Sequence, residues 1–378
     1  MLFEMGLLIK RLPVFLLPLL LIVCVSCTAI RTIWWGHADA DDYKKFGLLP
    51  IAKSGSPVHF IKKSENTLLR VPGSADTSKD FHSFDVFLEL HNTLCFIVIR
   101  NDTVLYEKYF HGYDNKSVFP SFSVSKSFVS ALTGIALKDH AIKNLKQPVT
   151  DFIPDLKDPG FTKVTLDDLL SMRSGIRFEE EYSSPFSKMS KFYYGKNLKK
   201  YTLELKTETT AGIDYNYQSA NAQLMALVLE RATGKKINEY FEEKIWKPAG
   251  MESDASWSID SRKHQTVKAF CCVTARGLDY ARFGELYLHG GKNGPVQVIP
   301  EEWIKETSTI KYDSRDSEGF PYTYFWRVTE QGNLFAKGVL GQYIFVCPRK
   351  NIVVVRFGQG TGNISWARFI EQLMDQFP

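Results

Sequence analysis

The distribution of strand-like runs limits how this chain of 378 residues can fold more than any other feature of it. LCFIVIR, from Leu94, and TVLYEKYF, ending at Phe110, are rich in β-branched and aromatic residues, and only Asn101 and Asp102 separate them. Two such runs joined by two turn-forming residues predict a hairpin. Strand patterns then stop until Tyr322, where YTYFWRV, LFAKG, QYIFVC and NIVVVRF follow in turn before an amphipathic WARFIEQLM. The stretch between them is helical in pattern, at DDLLSMRS, at AQLMALVLERATG, which closes on Gly234, and at ARFGELYLHGG, which closes on Gly290 and Gly291. Strands first, helices in the middle and strands last predict an α+β fold of the α/β-sandwich kind. Its antiparallel sheet is completed by both chain ends, flanked by helices, and carries an inserted, mostly helical lobe.

Hydrophobic residues make up 44% and charged residues 24%, the balance of a folded chain with a substantial core. The net charge of +5 is dispersed, so no nucleic-acid partner is expected. At the N-terminus Lys10 and Arg11 precede a run from Leu12 to Ile30 without a charge, the pattern of a membrane-directing segment. Three versions share it: a lipoprotein signal ending in a lipidated Cys27, an uncleaved membrane helix, and a cleaved export signal. Each places the folded part outside the cytoplasmic membrane. Residues 1–30 are therefore expected as signal or anchor, 31–90 as a tether and irregular segment that partly packs, and 91–378 as the domain. Gly47, Pro50, Gly55, Pro57, Pro72 and Gly73 interrupt any period in the tether. Of six cysteines, Cys24 and Cys27 belong to the targeting segment. Cys95, Cys271, Cys272 and Cys347 show no metal-binding spacing and read as packed thiols, with one disulfide as the alternative.

Chemistry enters at PSFSVSKSFVSALTGIAL, from Pro120 to Leu137. Phe128, Val129, Leu132, Ile135 and Ala136 recur at helical spacing, so a helix enters the core here. A serine cap accounts for one hydroxyl at its start. It does not account for Lys126, three residues after Ser123 and on the same helix face. Burial disfavours a charged amine, so a lysine held there can act as a base and activate the serine. The same spacing at Ser308 and Lys311 is followed by no deep apolar helix, so the spacing alone would be met by a capped helix.

The run resembles the nucleophile helix of the serine hydrolases related to class C β-lactamases and penicillin-binding proteins. TLDDLLSMRSGI, DYNYQSANAQLMALVLERATG, ASWSID and CCVTARGLDYARFGELYLHGG are similar to further family segments in order and spacing, from about Leu94 to the C-terminus. The 6-aminohexanoate-dimer hydrolase branch is similar in three details: Ser219 two residues after Tyr217, the flap-like EEEYSSP containing Tyr182, and a third motif other than lysine-threonine-glycine. That motif reads KGVLGQYIFV, with Val339, Leu340 and Gly341 where the family has a basic or histidine residue, a small residue and glycine. The departure removes the usual hold on a β-lactam carboxylate and leaves Lys337 as the nearby substitute.

The resemblance implies an acyl-enzyme route without cofactor or metal. Ser123 would attack the carbonyl and Lys126 take its proton, while Tyr217 serves either as a phenol relay to the leaving group or as the base itself. The backbone amides of Ser123 and of Gln342, after Gly341, would hold the oxyanion, and Tyr182 and Ser219 would contact substrate. Asp214 and Glu179 read as solvated, and RFGQGTG, from Arg356 to Gly362, as a strand-to-helix turn rather than a phosphate loop. GxSxG and HExxH are absent, which disfavours an α/β-hydrolase elbow and a helix-borne zinc protease. The expectation is an exported, membrane-anchored serine hydrolase acting on a small ester or amide. The alternatives are a non-catalytic protein of the same fold that binds cell-wall peptides, and a scaffold that recruits a partner.

Overall fold

The computed structural model of the chain describes residues 27–73 and 83–378, so the expected signal or anchor lies, except for its last residues, outside the described residues. The first part contributes helix α1 (Cys27–Trp35), strands β1 (Gly47–Ile51) and β2 (Ile61–Lys62), and helix α2 (Phe84–Leu90), followed by strands β3 (Thr93–Arg100) and β4 (Thr103–Tyr109). The middle runs through β5 (Val118–Pro120), α3 (Ser125–Lys138), α4 (Leu166–Leu170), α5 (Lys188–Tyr194), α6 (Leu198–Leu203), α7 (Ser219–Thr233), α8 (Ile237–Phe241), β6 (Ala255–Ile259), β7 (Val273–Arg276) and α9 (Gly277–Leu288). The last part holds a ribbon of β8 (Lys292–Asn293) and β9 (Val296–Gln297), then α10 (Glu301–Ser308), β10 (Tyr322–Thr323), β11 (Trp326–Val328), β12 (Leu334–Gly338), β13 (Gln342–Cys347), β14 (Ile352–Gly358) and α11 (Trp366–Leu373).

Eight strands form the main sheet in the order β10-β11-β12-β13-β14-β3-β4-β2, antiparallel except where β2 runs parallel to β4. The joint between β14 and β3 closes the sheet with both halves of the chain, as the strand order predicts. The β3–β4 hairpin turns on Asn101 and Asp102 at φ +50° and +56°, a left-handed backbone that these two residue types tolerate. Both faces of the sheet are covered. In β3, Cys95, Ile97 and Ile99 enter the larger core with α3 and α7, while Phe96 and Val98 enter a second cluster with α2 and α11. That is why β3 and β14 read as unbroken apolar runs rather than alternating ones. Helix α9 lies close on the sheet because position 284 is glycine: a Cβ there would meet Val353 at 2.6 Å.

Residues 31–90 are more than a tether. β1 pairs with β6 at the edge of a second, four-stranded sheet ordered β1-β6-β7-β5. Pro50 is tolerated there because an edge strand has one side without ladder bonds, so a residue that breaks the sequence pattern does not break the strand. α2 inserts Phe84 and Phe87 among Phe96, Trp366 and Phe369, with the Phe87 and Phe369 rings stacked at 5.0 Å. RFGQGTG is a strand-to-helix turn, from the end of β14 toward α11.

Candidate active site

The chain leaves β5 through Phe122, whose φ of +43° lies where L side chains rarely sit, and enters a 3-10 turn that runs straight into α3. No serine side chain caps the helix. The crowded hydroxyls instead tie its first turn to the surrounding layers. Ser121 N donates to Val273 O at 2.7 Å, the Ser121 and Ser125 hydroxyls lie 2.6 Å apart, and Ser125 Oγ accepts from Val273 N at 3.2 Å. Ser127 Oγ donates to Phe325 O at 2.8 Å. From Ser121 to Ser130 only Ser123 is not buried. Its hydroxyl opens onto the cavity.

Lys126 is 1% exposed, and its Nζ lies 2.8 Å from Ser123 Oγ, 2.9 Å from Phe270 O and 3.2 Å from Ser219 Oγ. Among the described residues no carboxylate pairs with it directly. One bond further on stands Glu180, which the sequence reading did not single out. Its carboxylate accepts from Ser219 N at 2.7 Å, Ser219 Oγ at 2.6 Å and Tyr182 OH at 2.5 Å. Ser219 opens α7 and Gln218 supplies no cap, so this carboxylate satisfies an orphan amide at the positive end of the helix. The Gln218 amide instead donates to Ile176 O and Phe178 O, which fixes the segment carrying Glu180 and Tyr182 over the site. Burial and the Glu180 carboxylate both push the Tyr182 phenol up, so it stays a donor at neutral pH.

Tyr217 is half-buried, with its ring 5.0 Å from Lys126 Nζ and 5.5 Å from the Arg327 guanidinium. Arg327 is also new. Burial opposes its charge, but Tyr217, Tyr322 and Asp316 hold its pKa above the ordinary value, and its Nε donates to Asp316 at 2.5 Å. Its sequence signal is an arginine inside YTYFWRV, a charge in an otherwise apolar and aromatic run. Glu180 has no such signal among three consecutive glutamates.

The third motif is the turn between β12 and β13. Leu340 and Gly341 sit at φ +66° and +82°, and a Cβ on Gly341 would meet Arg356 Nη1 at 2.1 Å, so only glycine fits. Arg356 buttresses the turn from beneath. Nη1 donates to Gly341 O at 2.6 Å, Nη2 to His91 O at 2.8 Å and Nε to Thr93 Oγ1 at 3.1 Å, and the guanidinium lies 3.7 Å over Trp366. Gln342 opens β13, and its side-chain amide exchanges hydrogen bonds with the backbone of Gly358 at 2.9 and 2.8 Å. Lys337 is ion-paired with Glu318. It therefore does not act as the substitute cation.

A cavity of about 280 Å³ joins these parts. Ser123, Tyr182, Ser219, Val339 and Leu340 line it together with Phe122, Met189, Tyr193, Tyr194, Phe270 and Cys271, and His37 and Ala38 close one side. Tyr217, Lys126, Gly341 and Gln342 adjoin this lining rather than forming it. Among the described residues no carboxylate, lysine or arginine is in the wall. Among the described residues, none that lines a larger cleft of about 680 Å³, between Arg70, Arg100 and Gln376, is a serine or cysteine.

Cys271 and Cys272 are bonded to each other, whereas Cys95 and Cys347 are buried free thiols. The reading of all four as packed thiols is thus corrected for the adjacent pair. Successive side chains on an extended strand point to opposite faces, which hides such a pair in the sequence. Cys272, at φ +77°, departs from that extended backbone.

Residues 91–374 match the model of the family described as Beta-lactamase, and the chain belongs to this family; it is a serine hydrolase. Over 292 residues, 71% of this chain and 73% of the relative, it is 28% identical to the 6-aminohexanoate-dimer hydrolase of Paenarthrobacter ureafaciens, which bears out the resemblance drawn from the motifs. A Bacillus anthracis structure described as a 6-aminohexanoate-dimer hydrolase superposes with a TM-score of 0.72 at 20% identity, covering 88% of this chain and 92% of its own. A penicillin-binding protein from Bacillus halodurans does so with a TM-score of 0.63 at 14% identity, covering 78% and 99%. These structural likenesses establish the α+β fold.

Proposed function

We propose that this serine hydrolase cleaves a small, uncharged ester or amide with an apolar acyl group, through an acyl-enzyme on Ser123. The observation that carries the reading is Lys126 Nζ at 2.8 Å from Ser123 Oγ, at the edge of a cavity whose wall is apolar and aromatic. Lys126 takes the serine proton as Oγ attacks the carbonyl. Tyr217, beside both Lys126 and Arg327, passes a proton to the leaving group. The backbone amides of Ser123 and Gln342 receive the oxyanion, and the Tyr182 hydroxyl orients the scissile group. Water then releases the acid by the reverse proton path. With Val339 and Leu340 in the wall and Lys337 engaged elsewhere, nothing there rewards a carboxylate, which disfavours β-lactams and cell-wall peptides as substrates. The intact Ser123–Lys126 pair argues against a non-catalytic binding protein.

The proposal includes export and anchoring through the N-terminal segment. Two observations support it. Ile30, Ile33 and Trp34, spaced along one face of α1, are 41%, 67% and 85% exposed, just where the charge-free run ends at Arg31. A disulfide is also at home in an oxidising compartment. No helix among the described residues is long and apolar enough to cross a membrane. Globomycin sensitivity with a lipid mass on Cys27 is the expected result for the lipoprotein version, and an unmodified Cys27 excludes it.

The catalytic reading is tested by intact-mass labelling of the full chain, purified in detergent, with a fluorophosphonate and with p-nitrophenyl acetate. One adduct is expected on wild type and none on Ser123→Ala. A folded wild type that takes no adduct from either reagent overturns the reading.

A further inference from the structure

We propose that the Cys271–Cys272 disulfide is a redox control on this site, whose reduction by a dithiol releases the backbone that holds Lys126 and slows acylation of Ser123. The inference rests on the hydrolase reading above. Its basis is what the residues on either side of the bond hold. Phe270, immediately before the pair, presents the carbonyl that takes Lys126 Nζ at 2.9 Å. Val273, immediately after it, accepts from Ser121 N at 2.7 Å and donates to Ser125 Oγ at 3.2 Å, on either side of Ser123. Four consecutive residues thus carry both the bond and the contacts that place base and nucleophile.

The bond joins neighbouring residues and so closes a small ring through their peptide, which restrains the backbone at Cys272. That backbone is left-handed, at φ +77°, a conformation that a non-glycine residue leaves when nothing holds it. Trp257 Nε1 donates to Cys271 O at 2.8 Å and Ser258 N to Cys272 O at 3.1 Å, so relaxation at the pair also pulls on β6. Cys271 lines the cavity beside Ser123, and both cysteines are only 3% exposed, so the cavity is the route by which a small dithiol would approach the bond. Cys95 in β3 and Cys347 in β13 are buried free thiols.

The chemistry balances as thiol–disulfide exchange. One thiolate of the dithiol attacks a cysteine sulfur, and the S–S bond breaks to give a mixed disulfide and a free cysteine thiolate. The second thiol of the dithiol then displaces the other cysteine. The dithiol leaves oxidised by two electrons, and two protons end on Cys271 and Cys272. With the ring open, the Phe270 carbonyl is free to turn from Lys126, and misplacement of a catalytic group by about 1 Å costs on the order of a hundredfold in rate.

The test compares fluorophosphonate labelling rates of the full chain, purified in detergent, as purified, after dithiothreitol, and after reoxidation, with thiols counted by alkylation and peptide mass on quenched aliquots. Reduction is expected to expose two new thiols, at Cys271 and Cys272, to slow labelling at least tenfold, and to be reversed by reoxidation. Cys272→Gly, which lacks the bond but adopts the positive φ freely, is expected to label at one rate with or without dithiol. Equal rates in the reduced and oxidised wild type, free thiols at both positions as purified, or a Cys272→Gly variant that remains dithiol-sensitive would each overturn the proposal. Labelling absent from both redox forms would instead sink the hydrolase reading, and this inference with it.

Discussion

Replacing Lys126 by methionine separates catalysis from stability, because the structure predicts opposite consequences for the two. Lys126 Nζ has three partners, Ser123 Oγ, Ser219 Oγ and Phe270 O, and methionine serves none of them. Leaving Phe270 O buried without a donor costs about 1–3 kcal/mol. Against this, burying the Lys126 amine itself costs about 1–3 kcal/mol, which an apolar methionine does not incur. The two nearly cancel, so folding stability should move by no more than about 2 kcal/mol in either direction, a shift of a few degrees in Tm. Catalysis has no such compensation. Losing a positioned general base typically costs about a hundredfold to ten-thousandfold, and one that also orients the nucleophile belongs at the upper end, about 4–5 kcal/mol of barrier. Acylation by p-nitrophenyl acetate, followed as the nitrophenolate burst, and thermal melts on the same samples provide the assay. Lys126→Met combined with Ser123→Ala should be no slower than Ser123→Ala alone, since groups that act as a unit do not add. Acylation of Lys126→Met within tenfold of wild type, or a Tm lowered by more than about 10 °C, would refute the reasoning.

Glu180→Gln offers one oxygen where three donors converge, so at least one charge-assisted bond is lost, worth about 1.5–3 kcal/mol, and kcat/KM for a neutral ester should fall roughly tenfold to a hundredfold. Wild-type kinetics in that variant would remove Glu180 from the site. Val339→Lys places a cation in the cavity wall; at about 6 Å and an effective dielectric near 20 it attracts a carboxylate by about 3 kcal/mol, so acylation by nitrocefin relative to a neutral ester should rise up to about a hundredfold. Asp279, 1% exposed with Oδ2 lacking a partner, is pushed by burial up to about 7. The folded state therefore holds a proton that the unfolded state has lost between about pH 4 and 7, so stability present in acid is lost as pH rises through 7, by up to about 4 kcal/mol. Asp279→Asn should flatten that dependence between pH 5 and 8 in urea titrations and be the more stable form at pH 8.

Much of this molecule was legible in its sequence where a pattern is local. The Asn101–Asp102 hairpin, the strands after Tyr322 and the helix after Ser123 each carry their signal within a single run. So does the Ser123–Lys126 pair, since a helix brings those positions together whatever surrounds it. What escaped is what depends on contacts remote in sequence. Glu180 matters because Gln218 and Ser219 meet the segment after Ile176, Lys337 fails as a cation because Glu318 takes it, and β1 is a strand because β6 offers an edge. No single run of residues records any of these.

A second buried lysine shows why burial alone is not the catalytic signal. Lys268, in the segment that leads to Phe270, is 0% exposed, and burial, then Arg31, push its pKa well below the ordinary value. On desolvation alone it is as good a base as this fold could make. Its Nζ donates to Tyr193 O at 2.6 Å and lies 2.9 Å from the centre of the Phe46 ring, with the Tyr193 ring 5.0 Å away. No hydroxyl accepts from it among the described residues, so it has no nucleophile to activate. What Lys126 has and Lys268 lacks is its neighbours: a partly exposed serine on its own helix face, a second serine that leads to Glu180, and a backbone carbonyl set beside a disulfide. Both lysines bond the backbone of residues in the aromatic lining of the cavity, Lys268 at Tyr193 and Lys126 at Phe270. One holds the wall in place, and the other is placed by it.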